Sequence, residues 1–357
     1  MADRLCDDGH EVDFIGTRRG PEARLASEAG LTFHAVPARG FDRSRPLSFV
    51  VAVAVLALST ARAWVLLGRL KADVAVGFGG YVSLPVGFAA IARRLPLVLH
   101  EQNSVPGMAN RVLSRRATVV GVTYEASVAR MRAGTTSVHT GNPVRTAVLA
   151  ADRVSGRQRL GLPAEAKVLL VFGGSRGARR INEALVDAAP RLMTREDLHV
   201  IHIAGIAEVD SVRHALARRD LGADGQDRYR LLDYLQDMAS ALAAADVVVA
   251  RAGATSIAEI TAVGRAAVLV PYPYATEDHQ TLNARDVESA GGAIVVSDAA
   301  FDGDSLSSAL TTVLDDPEAR RRMAEASASL GVRDAAQRLC ALIEGAASGR
   351  LTGEVVA

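Results

Sequence analysis

Twice in this chain a short, almost unbroken apolar run meets a glycine turn that opens a helix. Asp73–Phe78 (DVAVGF) leads into Gly79-Gly80-Tyr81-Val82-Ser83, and Lys167–Phe172 (KVLLVF) into Gly173-Gly174-Ser175-Arg176-Gly177-Ala178. Runs this short and this apolar read as strands covered on both faces, the pattern of parallel sheets packed between helices. Further strands are predicted at Glu11–Gly16, Phe33–Val36, Leu97–His100, Val119-Val120, Leu198–Ile203, Tyr229–Leu232, Asp246–Ala250, Ala267–Val270 and Ala293–Val296, with helices between them. Such alternation over 357 residues predicts two doubly wound α/β domains with a cleft between them. The Gly and Pro of Gly141-Asn142-Pro143-Val144-Arg145 mark the boundary. The expected division is an N-terminal domain over 1–143, a C-terminal domain over 144–330, and a C-terminal helix within 331–357 that packs back on the first domain.

A net charge of +1 argues against a general nucleic-acid binder. Cys6 and Cys340 are too far apart in sequence to suggest a metal or disulfide pattern.

The densest chemistry lies between Arg251 and Ala284. Ala252-Gly253-Ala254 lets the backbone turn after a buried strand, and Thr255 or Ser256 is expected to cap the helix that follows. Such a helix end holds phosphate well. Glu259, expected near the first turn, would repel a phosphate, so hydrogen bonds from neutral hydroxyls such as a ribose diol suit it better. After the strand ending at Val270, Pro271-Tyr272-Pro273 leads to Glu277, Asp278, His279, Gln280 and Asn283. Polar sets at strand C-terminal ends are where open α/β sheets bind ligands. A nucleotide-sugar site is the expectation, with a capped helix and a polar surface loop as the plainer alternative. The glycine turn Gly173–Ala178 adds N–H groups and the Ser175 hydroxyl for phosphate.

The first half opens on Met1–Asp8, which reads as the back of an amphipathic helix closed by Gly9. His10 falls in the helix-to-strand turn, where a structural role is expected. Leu47–Leu58 (LSFVVAVAVLAL) is apolar throughout, with Arg39, Arg43 and Arg45 before it and Arg62, Trp64 and Arg69 after. It is too short to span a bilayer, which takes about 20 residues. It reads either as a buried helix or as an apolar surface ringed by arginines at a membrane interface. Leu97–His100 ends in a polar cluster, His100-Glu101-Gln102-Asn103.

Five motifs in order carry a resemblance: HEQN at 100–103, GNPVR at 141–145, GGSRGA at 173–178, GATSIAEI at 253–260 and DHQTLNA at 278–284. Together they resemble the MurG family, glycosyltransferases that move N-acetylglucosamine from UDP-N-acetylglucosamine onto lipid I to make lipid II in peptidoglycan biosynthesis. The resemblance implies the GT-B fold, an inverting hexosyltransferase, and a peripheral protein on the cytoplasmic side of an anionic membrane. It implies roles in cell wall biogenesis, cell shape and cell division, and no nucleic acid, cofactor or protein-held metal. Carried over residue by residue, Glu259 takes the ribose hydroxyls, while Ala254, Thr255, Ser256 and the helix they open, through Ile257 and Ala258, hold the diphosphate. Ser175 contacts the phosphates, and Leu235 offers its backbone to uracil. Gln280 and Asn103 bind the sugar hydroxyls, Arg145 stabilises the donor, and His279 and Asn283 are secondary candidates.

One departure stands out. The family begins with a strand and a Gly-Gly-Thr-Gly-Gly-His-type loop whose His is its proposed base, and this sequence starts on the helix after it. No residue here matches the base, so the N-terminal domain is expected to be loose and the acceptor half incomplete. Two rival readings follow: another GT-B enzyme or a UDP-N-acetylglucosamine 2-epimerase, or a UDP-sugar binder without transferase activity.

Overall fold

In a computed structural model, the structure describes residues 1–18, 22–37, 46–174, 178–351 and 355–356. The chain divides into two compact units, one of residues 1–143 with 334–357 and the other of residues 144–333. Along the chain the strands are β1 (Asp13–Gly16), β2 (Thr32–Ala35), β3 (Ala75–Gly77), β4 (Leu97–Glu101), β5 (Val119–Val122) and β6 (Ser137–His139). They continue with β7 (Lys167–Phe172), β8 (Leu198–Ile203), β9 (Tyr229–Leu232), β10 (Val247–Ala250), β11 (Ala266–Leu269), β12 (Ala293–Val295) and β13 (Val355–Val356).

The second unit is built on a parallel sheet in the order β12-β11-β10-β7-β8-β9. Alternation along β7 shows why the run Lys167–Phe172 has no polar interruption after its first residue. Leu169 and Val171 face the helix Arg179–Met193, packing with Ile181, Leu185 and Ala188. Val168, Leu170 and Phe172 face the other way, toward Leu242, Ile257 and Ile260. Successive side chains of a strand point to opposite faces, so a sheet covered on both sides needs apolar residues at every position. The chain proceeds outward from β7 to β8 and β9, then returns to the other side of β7 as β10. The C-terminal ends of β7 and β10 therefore flank the point where the strand order reverses, and a crevice opens at such a point.

The first unit holds a five-stranded sheet, β13-β6-β5-β4-β3, and a separate parallel pair, β1-β2. β3 to β6 run parallel and β13 joins antiparallel to β6. Nothing in the sequence signals β6 or its partner, and Val355-Val356 pairs antiparallel with Ser137-Val138. The helix Ala335–Ala347 lays Leu339, Leu342 and Ile343 against Val98 and Val119, with Leu5 beside them. The opposite face carries Leu97, Leu99, Val120 and Val122 under Ala63, Leu67, Val86, Ala89 and Ala90. These last five belong to the helices Pro46–Arg69 and Gly80–Ala92. A Cβ at Gly87 would lie 2.5 Å from Leu113 Cδ1, so the close seat of the second helix requires glycine there.

Candidate active site

The site is assembled from the loops that follow β7, β10 and β11 in the second unit. After β10 the chain passes Arg251-Ala252-Gly253 and enters the helix Ala254–Val263. Gly253 is the N-cap in an extended conformation, and no side chain caps the helix, so the expected cap by Thr255 or Ser256 is corrected. Both residues lie inside the first turn, where a side chain is already past the capping position. The first N–H to find an intrahelical partner is that of Ile257, bonded to Gly253 O at 3.0 Å. The N–H groups of Ala254, Thr255 and Ser256 thus form an open end with the positive pole of the helix behind it. Thr255 is exposed on this end, while Ile257 is packed into the core below.

Glu259 sits in the second turn rather than the first and is buried, at 7% exposure. Its Oε1 accepts from Arg145 Nε at 2.7 Å. Arg145 itself is more than half exposed. The structure therefore joins two sequence candidates 114 residues apart, and the cation offsets the carboxylate that would otherwise oppose an anion at this helix end.

Beyond β11, Gln280 Oε1 accepts from Tyr272 N at 2.9 Å, which ties the start of the loop to the helix His279–Ser289. Glu277 and Asp278 both hold positive φ, 52° and 55°. Two successive non-glycine residues in that region cost about 1–3 kcal/mol each and recur at ligand sites. His279 Nδ1–H donates to Thr276 O at 2.8 Å, since a carbonyl can only accept, and Nε2 is left as the ring's acceptor. Asn283 is fully buried and presents nothing to solvent. Leu235 is half-buried against the core beneath it. Its loop is fixed by Asp237, which caps the helix Met238–Ala244 through Ser240 N at 3.0 Å. Hydrogen bonds from Ser240 hold the Asp237 carboxyl below its usual range. After β7, Gly174 adopts φ 90°, as only glycine readily does; Ser175 lies outside the described residues.

Two supports of this site were not singled out from sequence. Arg251 Nη1 donates to Val270 O and Pro271 O, both at 3.2 Å, and lies 2.5 Å from Asp298 Oδ1. Its guanidinium also lies over the Tyr272 ring at 5.6 Å, so one partly buried cation ties together the segments that follow β10, β11 and β12. An arginine placed directly after a buried strand at the reversal point was the available signal. The second is a buried network behind the β7 loop. Asn182 Nδ2 donates to Ala204 O, which turns its Oδ1 toward His202 Nε2–H at 3.0 Å. His202 Nδ1 then accepts from Tyr229 Oη at 2.8 Å. Burial lowers the His202 pKa to about 3, keeping the ring neutral and this tautomer fixed. Nothing in the local sequence of 182, 202 or 229 marks their meeting.

In the first unit, Asn103 stands at the C-terminal end of β4. Its N–H donates to Glu101 Oε1 at 3.0 Å. Buried Glu101 also accepts from Gly107 N at 2.9 Å and Asn110 Nδ2 at 2.8 Å, so one carboxylate shapes the whole 102–107 loop. His100 is fully buried; its Nε2–H donates to Gly141 O at 2.9 Å, and burial pushes its pKa down. His10 Nε2 meets Glu344 Oε1 at 3.1 Å on the surface, between the helix Ala2–Asp7 and β1. The helix Pro46–Arg69 is covered on one side only, where Ala63 and Leu67 enter the core. Residues Val51–Arg69 are apolar and long enough to cross a membrane by length and composition, yet only 17% of that stretch is buried. Val51, Val53, Leu58, Trp64 and Val65 are all exposed. Arg39, Arg43 and Arg45 lie outside the described residues.

Residues 1–122 match the glycosyltransferase family 28 N-terminal domain and residues 168–339 the glycosyltransferase family 28 C-terminal domain. A UDP-N-acetylglucosamine–N-acetylmuramyl-(pentapeptide) pyrophosphoryl-undecaprenol N-acetylglucosamine transferase of Halothermothrix orenii is 36% identical over 98% of this chain and 95% of its own length. The enzyme of the same name from Desulfitobacterium hafniense is 40% identical over 92% of this chain and 89% of its own. The crystal structure of Acinetobacter baumannii MurG superposes with a TM-score of 0.74 at 29% identity, covering 96% of this chain and 93% of that one. The chain belongs to the MurG family. It is a glycosyltransferase of GT-B fold. A UDP-N-acetylglucosamine 2-epimerase from Listeria monocytogenes, at 15% identity and a TM-score of 0.66, shares that fold alone. The family relation therefore decides against the epimerase reading.

Proposed function

We propose that this member of the MurG family transfers N-acetylglucosamine from UDP-N-acetylglucosamine to the C4 hydroxyl of the N-acetylmuramoyl group of lipid I, with inversion, to give lipid II. The observation that carries the donor half is the Arg145–Glu259 pair beside the open N–H groups of Ala254, Thr255 and Ser256. The helix end and Ser175 receive the diphosphate, with Ile257 and Ala258 continuing the helix behind them. The free lone pairs of Glu259 accept from the ribose diol. Leu235 meets uracil through its backbone, on a loop held by Asp237. Gln280 spends its carbonyl on Tyr272 N, and its amide N–H groups remain for sugar hydroxyls. His279 remains a secondary candidate, Asn283, fully buried, supports the helix His279–Ser289 from within, and Asn103 remains the candidate of the first unit.

In the transfer, the acceptor C4 oxygen bonds to the anomeric carbon as the bond to the UDP oxygen breaks, and the acceptor hydroxyl releases its proton. Negative charge grows on the departing diphosphate. Preorganised N–H donors and the Arg145 guanidinium stabilise that charge better than they stabilise the bound donor, which is what lowers a barrier. No residue of the described chain is assigned as the base. We further propose that the exposed apolar face of Pro46–Arg69, with Arg62 and Arg69 at its far end, seats the protein on the cytoplasmic face of an anionic membrane.

The test is direct. The purified chain is mixed with UDP-N-acetylglucosamine and a lipid I analogue, and UDP release and disaccharide formation are followed. A β-linked product supports the reading. UDP-N-acetylglucosamine binding with no product supports the donor-binder alternative, and absence of binding overturns the donor site.

A further inference from the structure

Within the second unit, the helix Ala254–Val263 packs against a short helix, Thr146–Ala150, with Val148 in the same core as Ile257 and Ile260. Arg145 is the N-cap of the short helix, and its carbonyl accepts from Val148 N at 2.9 Å and Leu149 N at 3.2 Å. One helix therefore places the backbone of Arg145, and the other places Glu259. The Arg145–Glu259 bond joins the two helices at a single point. Arg145 is also more than half exposed, so this bond alone would let one helix pivot on the other.

A second tie lies one turn further along. Arg333 Nη1 donates to Ala262 O at 2.6 Å, and its Nη2 donates to Leu149 O at 2.9 Å. Both carbonyls stand in the last turn of their helices, where intrahelical donors run out. One guanidinium thus spans the C-terminal ends of the same two helices, and its charge suits the negative pole of Ala254–Val263. The segment that carries it is closely seated, since a Cβ at Gly331 would lie 2.5 Å from Thr261 O. From Glu259 to Ala262 a helix advances about 4.5 Å. Two ties at that spacing fix the angle between the helices as well as their separation.

We propose that Arg333 is a positioning residue of the donor site, holding the two helices in the register that sets the Arg145 guanidinium beside the donor diphosphate. The inference rests on the donor reading given under the proposed function and adds a residue to it. Ala262 lies about 12 Å along the helix from Ala254, whose N–H faces the diphosphate, so Arg333 acts through Arg145 and not by contact. Remote support of this kind matters because a misplacement of about 1 Å at a working group can cost up to about 10²-fold.

UDP and uridine separate the cause, because both carry the ribose that Glu259 receives and only UDP carries the phosphates. Affinities are measured by calorimetry for the full chain and for Arg333→Met, Arg145→Gln and the double variant, uridine being read by its displacement of UDP. Arg333→Met should weaken UDP by about 3- to 10-fold and uridine by less than about twofold. In the Arg145→Gln background the same substitution should change UDP affinity by less than about twofold, since nothing is left for it to place. Arg333→Lys keeps a donor for the carbonyls and should bind UDP within about twofold of wild type. Melting curves should show each variant folded, because Arg333 lies at the surface. Wild-type UDP affinity in Arg333→Met overturns the proposal. Equal losses for UDP and uridine would make Arg333 a general support of the helix and overturn it too, as would losses that add in the double variant. Failure of the wild type to bind UDP overturns the donor reading, and this proposal with it.

Discussion

Replacing Glu259 by alanine is the sharpest probe of the donor site, because the structure separates its cost to binding from its cost to folding. Glu259 is 7% exposed and its partner Arg145 remains largely in water. Loss of the carboxylate leaves Arg145 to be solvated, so the stability change should stay near the 0–1 kcal/mol of an exposed pair. Alanine is also the best helix former, which offsets part of that cost in the middle of Ala254–Val263. Donor binding should suffer more. A ribose diol that loses its buried acceptor forfeits about 1–3 kcal/mol, or roughly 5- to 150-fold in the donor KM. Two assays isolate the cause. Donor KM and UDP affinity are measured for wild type and Glu259→Ala, then repeated with a 2′,3′-dideoxyribose donor. On the deoxy donor the two proteins should differ by less than about twofold, since a hydrogen bond absent from the ligand cannot be lost by the protein. If the variant is folded and binds the ordinary donor as wild type does, Glu259 is not in the site. If its defect persists on the deoxy donor, Glu259 acts through Arg145 or the helix and not through the ribose.

Glu101→Gln turns one acceptor of the 102–107 loop into a donor facing donors, so about 2–3 kcal/mol should be lost and the melting temperature should fall by roughly 4–12 °C; an unchanged melting curve would refute the clamp. Arg251→Met should loosen the loop that Gln280 holds, raising the KM for UDP-N-acetylglucosamine about tenfold while UDP alone binds as before, and equal losses for both would make Arg251 a general structural residue. Because burial depresses His202 to about 3, the unfolded chain binds the proton first as pH falls. Stability from this group is complete above about 6.5 and drains between there and about 3, at about 1.4 kcal/mol per pH unit. The acid slope of ΔG should drop by about that amount in His202→Gln, and a slope unaltered by the substitution would refute the assignment. Val51, Val53 and Leu58, exposed together, should release the protein from anionic vesicles when changed to Ser without lowering the melting temperature; unfolding would show instead that they pack.

Much of this was open to reading along the chain, because strands and glycine turns are local. The predicted strand at Lys167–Phe172 is β7 as observed, and those at Leu198–Ile203 and Tyr229–Leu232 coincide with β8 and β9. Burial on both faces leaves an unbroken apolar signature, and a one-residue shift would expose it. β6 escaped notice because Ser137–His139 has three residues and a single apolar one. The helix cap was misjudged for a related reason. Whether Gly253 or Thr255 ends the turn depends on where β10 stops in the sheet, and the residues alone do not settle it.

Family membership and the donor-site candidates were legible because motif residues are read one position at a time. The partnerships were not. Arg145 reaching Glu259, Arg251 drawing in Val270, Pro271 and Asp298, and the His202 chain from Asn182 to Tyr229 all join residues that no local spacing relates. The helix Pro46–Arg69 makes the same point in reverse. Its apolar composition allowed a core helix or an interfacial one, since hydrophobicity is a property of the residue and burial a property of its neighbours. Which faces of that helix are covered was decided only when the sheet placed Ala63 and Leu67 beneath it and left Val51, Leu58 and Trp64 outside.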